Sequence, residues 1–362
     1  MFRAEVVGSL LRPSYLQEAR TAFEEDRLSA HEFKRLEDRA VDQVIALQEG
    51  TGVDVVTDGE MRRFLFMGPL TETVDGIEPV ADHTPMPWNT PEGDIEWVSP
   101  IAVTSKLRKH RSLVTEEYSY ARAHARLPLK VTVPSPLMLF GLWSPTHSTS
   151  AYRDAFEMFA DGAEIVRSEI LELVSLGCEY IQVDAPEIAT LVDPRVREWA
   201  EPLGFGAERM LSEGLDLING TVQDIPDARF AIHLCRGNNA GMWMASGGYD
   251  YIAGALFERA SAFDAFLLEY DDQRSGSFEP LAGAPEDKQV VLGLVSTKKA
   301  ELEQPEELRD RIDEAAGFFP RDQLGLSTQC GFASIAAGNP ITEADEERKL
   351  RLVADTAQTA WG

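Results

Sequence analysis

The stretch Phe230-Ala231-Ile232-His233-Leu234-Cys235 decides more about the fold than any other part of the chain. Its residues are apolar at almost every position instead of alternating, which is typical of a strand buried on both faces of a parallel sheet. A histidine and a cysteine stand two residues apart at its carboxyl end, and side chains at that spacing point to the same side of a strand. The stretch therefore predicts a buried parallel strand whose end presents two metal-binding side chains.

Seven further short apolar or β-branched runs alternate along the chain with longer stretches of helical period. Eight strands joined by helical crossovers predict an α/β fold, a (β/α)8 TIM barrel. The other seven runs are Ala4–Gly8, Val53–Thr57, Leu129–Val133, Tyr180–Val183, Phe266–Leu268, Val290–Leu294 and Leu324–Leu326. The predicted helical stretches are Ser14–Gln48 (two helices), Ala151–Leu176, Glu198–Thr221, Tyr249–Ala262, Pro305–Ala316 and Glu343–Trp361.

An open, doubly wound sheet is the alternative fold, but no G-x-G-x-x-G sequence follows the first run. One segment, about residues 67–111, breaks the alternation because it is rich in Pro, Gly, Asp and Thr and contains only short strand-like pieces. We interpret it as a β-hairpin-like insertion after the second strand, folded over the rim of the barrel. Residues 1–362 are accordingly predicted to form a single TIM-barrel catalytic domain.

The chain is strongly acidic, with a formal net charge of −27 at pH 7. This charge argues against binding to nucleic acid and against attraction to anionic membrane surfaces. No apolar run approaches the ~18 residues that would span a bilayer, and the N-terminal residues lack the apolar segment of a signal peptide. Three cysteines do not make a disulfide framework. A reducing cytoplasmic location is therefore expected.

Polar side chains cluster at the carboxyl ends of the predicted strands, where TIM barrels hold their chemistry. Cys330 and Glu269 follow two such strands, as His233 and Cys235 follow a third. One imidazole, two thiols and a carboxylate suit a four-coordinate Zn²⁺ site, so zinc is the expected cofactor. The plainer interpretation is a packed histidine beside a small buried thiol. Cys178 precedes its strand and is predicted to be a structural thiol at the opposite end of the barrel.

Five motifs resemble the catalytic barrel of the cobalamin-independent methionine synthase family, in particular its short, single-barrel bacterial members. The motifs are VGSLLRP (Val7–Pro13), VTDGE (Val56–Glu60), IQVDAP (Ile181–Pro186), HLCRGN (His233–Asn238) and QCGFA (Gln329–Ala333). Two further stretches, Leu268–Asp272 and Leu292–Lys298, are similar to that bacterial subgroup specifically. The resemblance extends from about Val6 to the C-terminus.

The resemblance implies a reaction in which the zinc-activated thiolate of L-homocysteine takes a methyl group from a donor to give methionine. A coordinated thiol is deprotonated at neutral pH, which makes it a nucleophile. In a plausible cycle, the substrate sulfur enters the zinc shell and displaces or loosens Glu269. The implied zinc ligands are His233, Cys235, Glu269 and Cys330; the substrate carboxylate is implied to bind Ser9 and the backbone around Gly8; and Glu60 and Asp184 are implied to hold its ammonium as catalytic residues.

An alternative role for Glu60 and Asp184 is simple ion pairing with Arg62, Arg63 or Arg236.

Two departures from the family pattern leave the methyl donor open. Full-length members carry a second, N-terminal barrel that helps to hold the folate donor, and 362 residues leave no room for it. Their catalytic histidine after the seventh strand has no counterpart here, since Ser296-Thr297-Lys298 occupies that region. Folate leaves poorly without a proton, so methylfolate, a methylcorrinoid and a sulfonium all remain candidate donors, and Lys298 is a candidate replacement for the histidine.

Three other functions are compatible with these residues. The first is a zinc-dependent thiol alkyltransferase of the epoxyalkane:coenzyme M transferase type, in which Arg12, Arg62 or Arg236 would bind the sulfonate. The second is a metal-free decarboxylase on the same barrel, as in the uroporphyrinogen decarboxylase relatives. The third is a non-catalytic zinc or thiol carrier. A homodimer is a further expectation, because barrels of this size often dimerise.

Overall fold

The structure is a computed structural model that describes residues 1–362. Its eleven strands are β1 (Ala4–Glu5), β2 (Val74–Pro79), β3 (Met86–Thr90), β4 (Gly93–Trp97), β5 (Ile101–Lys109), β6 (Val131–Pro134), β7 (Tyr180–Asp184), β8 (Arg229–Leu234), β9 (Ala265–Glu269), β10 (Gln289–Val295) and β11 (Leu324–Thr328). Seven of them form a parallel sheet in the order β1-β11-β10-β9-β8-β7-β6. Neighbours in the sheet are mostly neighbours in sequence, as expected when each strand is followed by a crossover on the outside. The predicted α/β fold is confirmed.

The sheet curls until both of its edge strands reach one segment, residues 53–57. Glu5 of β1 forms a parallel bridge with Val55, and Val56 forms another with Leu129, just before β6. Seven of the eight predicted strands are thus strands of the sheet, the first shorter than predicted, whereas Val53–Thr57 makes only isolated bridges. The reason lies partly in Gln48, because its side-chain amide bonds both the N–H and the carbonyl of Thr57, at 2.9 and 2.8 Å. Those backbone groups are then satisfied without a strand partner.

Twelve α-helical segments surround the sheet. They are α1 (Ser14–Glu24), α2 (Ala30–Thr51), α3 (Gly68–Glu72), α4 (Thr115–His124), α5 (Ala155–Ser175), α6 (Pro186–Thr190), α7 (Pro194–Ala200), α8 (Ala207–Arg209), α9 (Leu215–Val222), α10 (Ala253–Arg259), α11 (Pro305–Ala315) and α12 (Glu343–Trp361). No helix combines the length and the apolar character that crossing a membrane requires.

Most helix predictions agree with these bounds, and the capping chemistry explains several ends. Ser29 and Glu32 form a capping box that starts α2, and Thr342 and Asp345 form another that starts α12. The prediction of one helix over Glu198–Thr221 was wrong. A 3₁₀ turn containing Pro202, a left-handed Gly204 and a π-helical turn at Met210–Gly214 interrupt it, since proline and left-handed glycine end a helix.

The segment predicted to be an insertion contains the short helix α3 and two antiparallel ladders. Strands β2 and β5 pair with one another, and β3 and β4 form a hairpin between them. Asn89 of β3 forms a bridge with Trp243, in the loop that follows β8. This bridge and two side-chain hydrogen bonds from Asn89 hold the β3–β4 hairpin against the loops at the carboxyl ends of the strands.

The interior of the curled sheet contains a small apolar layer and a buried ion pair. The layer takes residues from β7, β8, β9 and β10, from the stretch just after β1 and from the segment 53–57: Val7, Val55, Tyr180, Ala231, Ala265, Leu267 and Val291. Beside it, the Lys130 ammonium lies 2.7 Å from Glu5 Oε2 and donates to the Val6 carbonyl at 2.6 Å, with both side chains fully buried. The Tyr180 hydroxyl donates to the same carboxylate at 3.1 Å.

Replacing Lys130 by methionine should lower the free energy of unfolding by about 3–5 kcal/mol, because it leaves the Glu5 carboxylate buried without its cation. Urea denaturation followed by circular dichroism measures the change. As a control, Arg209→Ala removes the partner of Glu213 at an exposed pair and should cost less than about 1 kcal/mol. Equal effects of the two substitutions would contradict the importance given to the buried pair.

Candidate active site

Three potential metal ligands converge at the carboxyl ends of β8 and β11. His233 is on β8, Cys235 directly follows this strand, and Cys330 stands two residues after β11. All three are buried, and one ligand atom from each lies within 4.8 Å of the others. The two sulfurs are 3.7 Å apart, close to the separation of about 3.8 Å that tetrahedral geometry gives two sulfurs 2.3 Å from a zinc ion. Neither ring nitrogen of His233 has a hydrogen-bond partner. The three residues therefore fit a zinc ion.

The electrostatic environment of this cluster favours a thiolate. The contact with the Cys235 sulfur, together with the His233 ring and the charge of Lys298, lowers the pKa of Cys330 well below its usual range despite burial. Cys178 is also a buried free thiol, but its surroundings differ. It lies outside the cluster, and burial raises the pKa of its thiol to about 12. One thiol of the chain is thus inert, while the paired thiols are suited to a cation.

Glu269 ends β9 near this cluster, but its carboxylate is not part of the three-residue group. Its Oε2 accepts the backbone N–H of Arg236 at 2.7 Å, and its Oε1 lies 3.3 Å from Nζ of Lys298. Burial lowers the pKa of Lys298, but the negative charges of Glu269, Asp271 and Cys330 together outweigh this effect and raise it. Lys298 is therefore a fixed cation that holds Glu269, and the role of Glu269 as a fourth ligand stays a prediction.

One cavity of about 340 Å³ connects the cluster with the other predicted site residues. Gly8, Ser9, Glu60, Asp184, His233, Cys235 and Cys330 all line it, so the structure brings together every predicted site residue except Glu269. No lysine or arginine lines the cavity. Its acidic side chains therefore face a space with no fixed cation.

Glu60 is held in this cavity by an unusual backbone conformation and a close approach. Its φ of 55° lies in the left-handed region, which a non-glycine residue adopts only when its surroundings require it. The Thr132 hydroxyl donates to Oε1 at 2.8 Å, whereas the buried Oε2 has no partner. A Cβ at Gly8 would lie 2.8 Å from Oε1, so the glycine is what lets the carboxylate approach the first strand. Burial raises the pKa of Glu60, although Arg63 and Arg12 oppose the shift.

Ser9 depends on a second close contact, with the loop that carries Cys330. A Cβ added to Gly331 would lie 2.0 Å from the Ser9 hydroxyl oxygen and 3.0 Å from the Ser9 nitrogen. The Ser9 carbonyl accepts the N–H of Phe332 at 2.8 Å. The serine and the cysteine loop are thus fixed relative to one another across the cavity.

Asp184 is the last residue of β7 and pairs in register with His233 of β8. Its Oδ1 accepts from the Gln182 side chain at 2.7 Å. Burial raises the pKa of Asp184 to about 7, and the His233 ring opposes this shift. The carboxyl makes no ion pair with an arginine in the structure.

The arginines that could neutralise these carboxylates are mostly engaged elsewhere. Arg62 pairs with Glu37 and Asp38 on α2. Arg236 donates to three backbone carbonyls. Only Arg63 pairs with Glu60, at 3.6 Å, and its shorter contact is with Glu117, at 2.7 Å. The ion-pair alternative is therefore realised weakly for Glu60 and not for Asp184.

Sequence reasoning missed several cavity residues. The cavity wall includes Met86, Trp88 and Trp97 of the β3–β4 hairpin and Phe140 of the 3₁₀ helix Pro136–Leu142. It also includes Glu187, three residues after Asp184, whose spacing was the only signal that could have identified it. Apart from the acidic side chains, this part of the cavity is apolar and aromatic.

The chain matches the family model described as the catalytic domain of the cobalamin-independent synthase over residues 2–356. It is 37% identical over 364 aligned positions to the uncharacterised protein YxjH of Bacillus subtilis, covering 99% of this chain and 95% of that protein. It is 24% identical over 331 positions to a methionine synthase of Sulfurisphaera tokodaii, covering 90% and 84% of the two chains. A crystal structure of a candidate vitamin-B12-independent methionine synthase from Listeria monocytogenes superposes with a TM-score of 0.74 and 26% identity, covering 100% of this chain and 98% of that one. This protein therefore belongs to the cobalamin-independent methionine synthase catalytic-domain family.

Proposed function

We propose that this protein is a zinc-dependent methyltransferase that transfers a methyl group from a donor to the thiol of L-homocysteine, giving methionine. One observation carries the proposal: a buried His/Cys/Cys cluster shares a cation-free cavity with two buried carboxyl side chains. A soft-ligand cluster suits a thiol, and carboxylates that face a cavity lined by no lysine or arginine suit an ammonium. We also propose that residues 1–362 form a single catalytic domain, with residues 53–57 as the eighth strand of a closed barrel.

His233, Cys235 and Cys330 would hold the zinc ion, with Glu269 as a fourth ligand. When bound, the ion would lower the pKa of a coordinated substrate thiol and make it a nucleophile near neutral pH. Lys298 would hold Glu269 through the contact between Nζ and Oε1. That contact gives the Glu269 carboxylate a partner whenever it is not bound to the metal.

The ammonium and carboxylate groups of homocysteine each have complementary groups in the cavity. Glu60 Oε2 is buried without a hydrogen-bond donor, and an ammonium group would supply one. Asp184 would accept a second ammonium hydrogen, and the positive charge would favour the ionised form of both carboxyl groups. The Ser9 hydroxyl and the backbone around Gly8 would receive the substrate carboxylate.

The alternatives fit the cavity less well. A coenzyme M substrate would need a cation for its sulfonate, but none lines the cavity, and the Arg12 guanidinium donates to four backbone carbonyls. A metal-free decarboxylase would leave the unpartnered His233 nitrogens and the paired thiols without a task. A carrier role would leave Glu60 and Asp184 idle.

We also propose a reducing, cytoplasmic location, because two thiols 3.7 Å apart must stay reduced to bind metal. The homodimer stays a prediction.

Cys330→Ser should lose zinc and methyl transfer together, because a neutral hydroxyl is a poor zinc ligand. Loss of a residue that only orients a metal ligand typically weakens binding by ~10–100-fold, so loss of Cys330, a ligand itself, should weaken zinc binding by at least that much. Metal analysis after dialysis against a chelator measures the effect, and Cys235→Ser should behave in the same way. Cys178→Ser is the matched control, since it removes a buried thiol outside the cluster and should retain one zinc per chain. Full zinc in either ligand variant would refute the assignment.

Zinc-edge X-ray absorption with and without L-homocysteine tests the thiol acceptor. We expect one zinc per chain and one additional sulfur neighbour when homocysteine is added. If zinc gains a sulfur neighbour only when coenzyme M is added, the substrate is coenzyme M and the alkyltransferase alternative is favoured. Absence of zinc from the purified protein and from protein supplied with zinc would favour the metal-free decarboxylase.

Glu60→Gln should weaken homocysteine binding by about 10- to 100-fold while leaving zinc in place, because a neutral amide replaces a charge-assisted hydrogen bond. Calorimetric titration measures the dissociation constant. A matched thiol that carries the carboxylate but no amino group should bind wild type and variant about equally. If both ligands lose the same affinity, or neither does, Glu60 does not hold the ammonium.

A further inference from the structure

Glu187 is a buried carboxyl group in the cavity that the proposed roles do not use. It lies on α6, three residues after Asp184, and is 2% exposed. Its Oε1 accepts a hydrogen bond from the Ser135 hydroxyl at 2.6 Å, and its buried Oε2 has no partner. A buried polar atom left without a partner is costly, so this oxygen requires an explanation.

The hydrogen bonds around Ser135 determine which oxygen of Glu187 would carry a proton. The Ser135 hydroxyl oxygen accepts the N–H of Leu137 at 3.1 Å, which leaves its own hydrogen for Glu187 Oε1. Oε1 is thus an acceptor, and the carboxyl hydrogen belongs on Oε2. Burial raises the pKa of Glu187 to about 8, against the opposing effect of the Ser135 hydrogen bond. The group is therefore neutral at pH 7 and able to donate.

The residues that replace the family's acid histidine are not free to donate a proton into the cavity. Thr297 bonds Gln329 Oε1 and the Gly331 carbonyl through its hydroxyl, and Lys298 pairs with Glu269. None of Ser296, Thr297 and Lys298 lines the cavity. Glu187 does line the cavity, together with the apolar wall, and it has no proposed role in binding the amino acid.

We propose that Glu187 is the acid that protonates the leaving atom of the methyl donor, and that this atom is a nitrogen. The inference rests on the proposed methyl transfer to homocysteine. A donor that leaves from nitrogen needs a proton, whereas a corrinoid or a sulfonium leaves without one. The aromatic wall, with Trp88 and Phe140, suits a flat heterocycle that carries an N-methyl group.

The step balances without an oxidant or a reductant. The homocysteine thiolate attacks the methyl carbon, so that an S–C bond forms while the C–N bond breaks. The electron pair of the C–N bond stays on nitrogen, which takes the proton from Glu187 Oε2. Glu187 is left as a carboxylate, and solvent reprotonates it before the next turnover.

Glu187→Gln keeps the shape and the Ser135 hydrogen bond but cannot release a proton. With 5-methyltetrahydrofolate as donor we expect kcat to fall by about 10²–10⁴-fold, the usual contribution of a general acid. With methylcobalamin as donor the change should be less than threefold, and homocysteine affinity should be unchanged. Glu187→Asp should retain more activity than Glu187→Gln with the N-methyl donor, although glutamine matches the native shape better. A purely structural role predicts the reverse order.

The pH dependence supplies a second test. Because the acid form is required, kcat with the N-methyl donor should fall as pH rises through about 8, and this limb should be missing in Glu187→Gln. The other titratable groups that line the cavity are Glu60, Asp184, His233, Cys235 and Cys330, and they remain in the variant. Infrared difference spectra should show a protonated carboxyl band at pH 7 that is absent from Glu187→Gln.

Glu346→Gln is the matched control for this substitution. Glu346 is also buried with its pKa raised to about 8, but it accepts the N–H of Leu11 outside the cavity, so its loss should leave donor preference and the alkaline limb unchanged. Equal losses with both donors, or no loss with either, overturn the inference. Wild-type turnover with methylcobalamin but not with the N-methyl donor also overturns it while leaving the proposed function standing. Absence of zinc or of homocysteine binding to zinc overturns both.

Discussion

The site depends on the curl of one parallel sheet. Strands β8 and β11 are separated by two others in the sheet order, and in a flat sheet three spacings of about 4.8 Å would hold their ends about 14 Å apart. The sulfurs of Cys235 and Cys330, which follow these strands, are 3.7 Å apart. The curl therefore creates the ligand cluster, and whatever closes the curl also supports the chemistry. The buried Lys130–Glu5 pair and the bridges of residues 53–57 lie where the two edges of the sheet meet.

The second constraint is electrostatic. Glu60, Asp184 and Glu187 line one cavity whose wall includes no lysine or arginine, and burial raises the pKa of all three, although Arg63 lies 3.6 Å from Glu60 behind that wall. A carboxyl group in such a space either binds a cationic ligand or stays protonated. Unpartnered oxygens on Glu60 and Glu187 are consistent with one group of each kind. The strongly acidic surface, by contrast, bears on solubility and says little about the site.

Elements outside the sheet complete the cavity. The β3–β4 hairpin supplies Met86, Trp88 and Trp97, and Asn89 fixes it to the loop after β8. The hairpin thus contributes the apolar part of the wall, while the sheet contributes the polar part. This division separates a polar region beside the His/Cys/Cys cluster from an apolar, aromatic region.

The sequence by itself determined seven of the eight predicted strands, most of the helices between them and the strand-end positions of His233, Cys235 and Cys330, because apolar periodicity and the alternation of side chains are local properties. It did not reveal that Gln48 takes the hydrogen bonds of Thr57, that Lys298 holds Glu269, or that Glu187 faces the same cavity as Asp184. The first two facts are contacts between residues that are not neighbours in sequence, and the third is the direction in which one side chain points. Only the tertiary structure decided them, since the distance between two strand ends is set by how far the sheet curls and not by the residues of either strand.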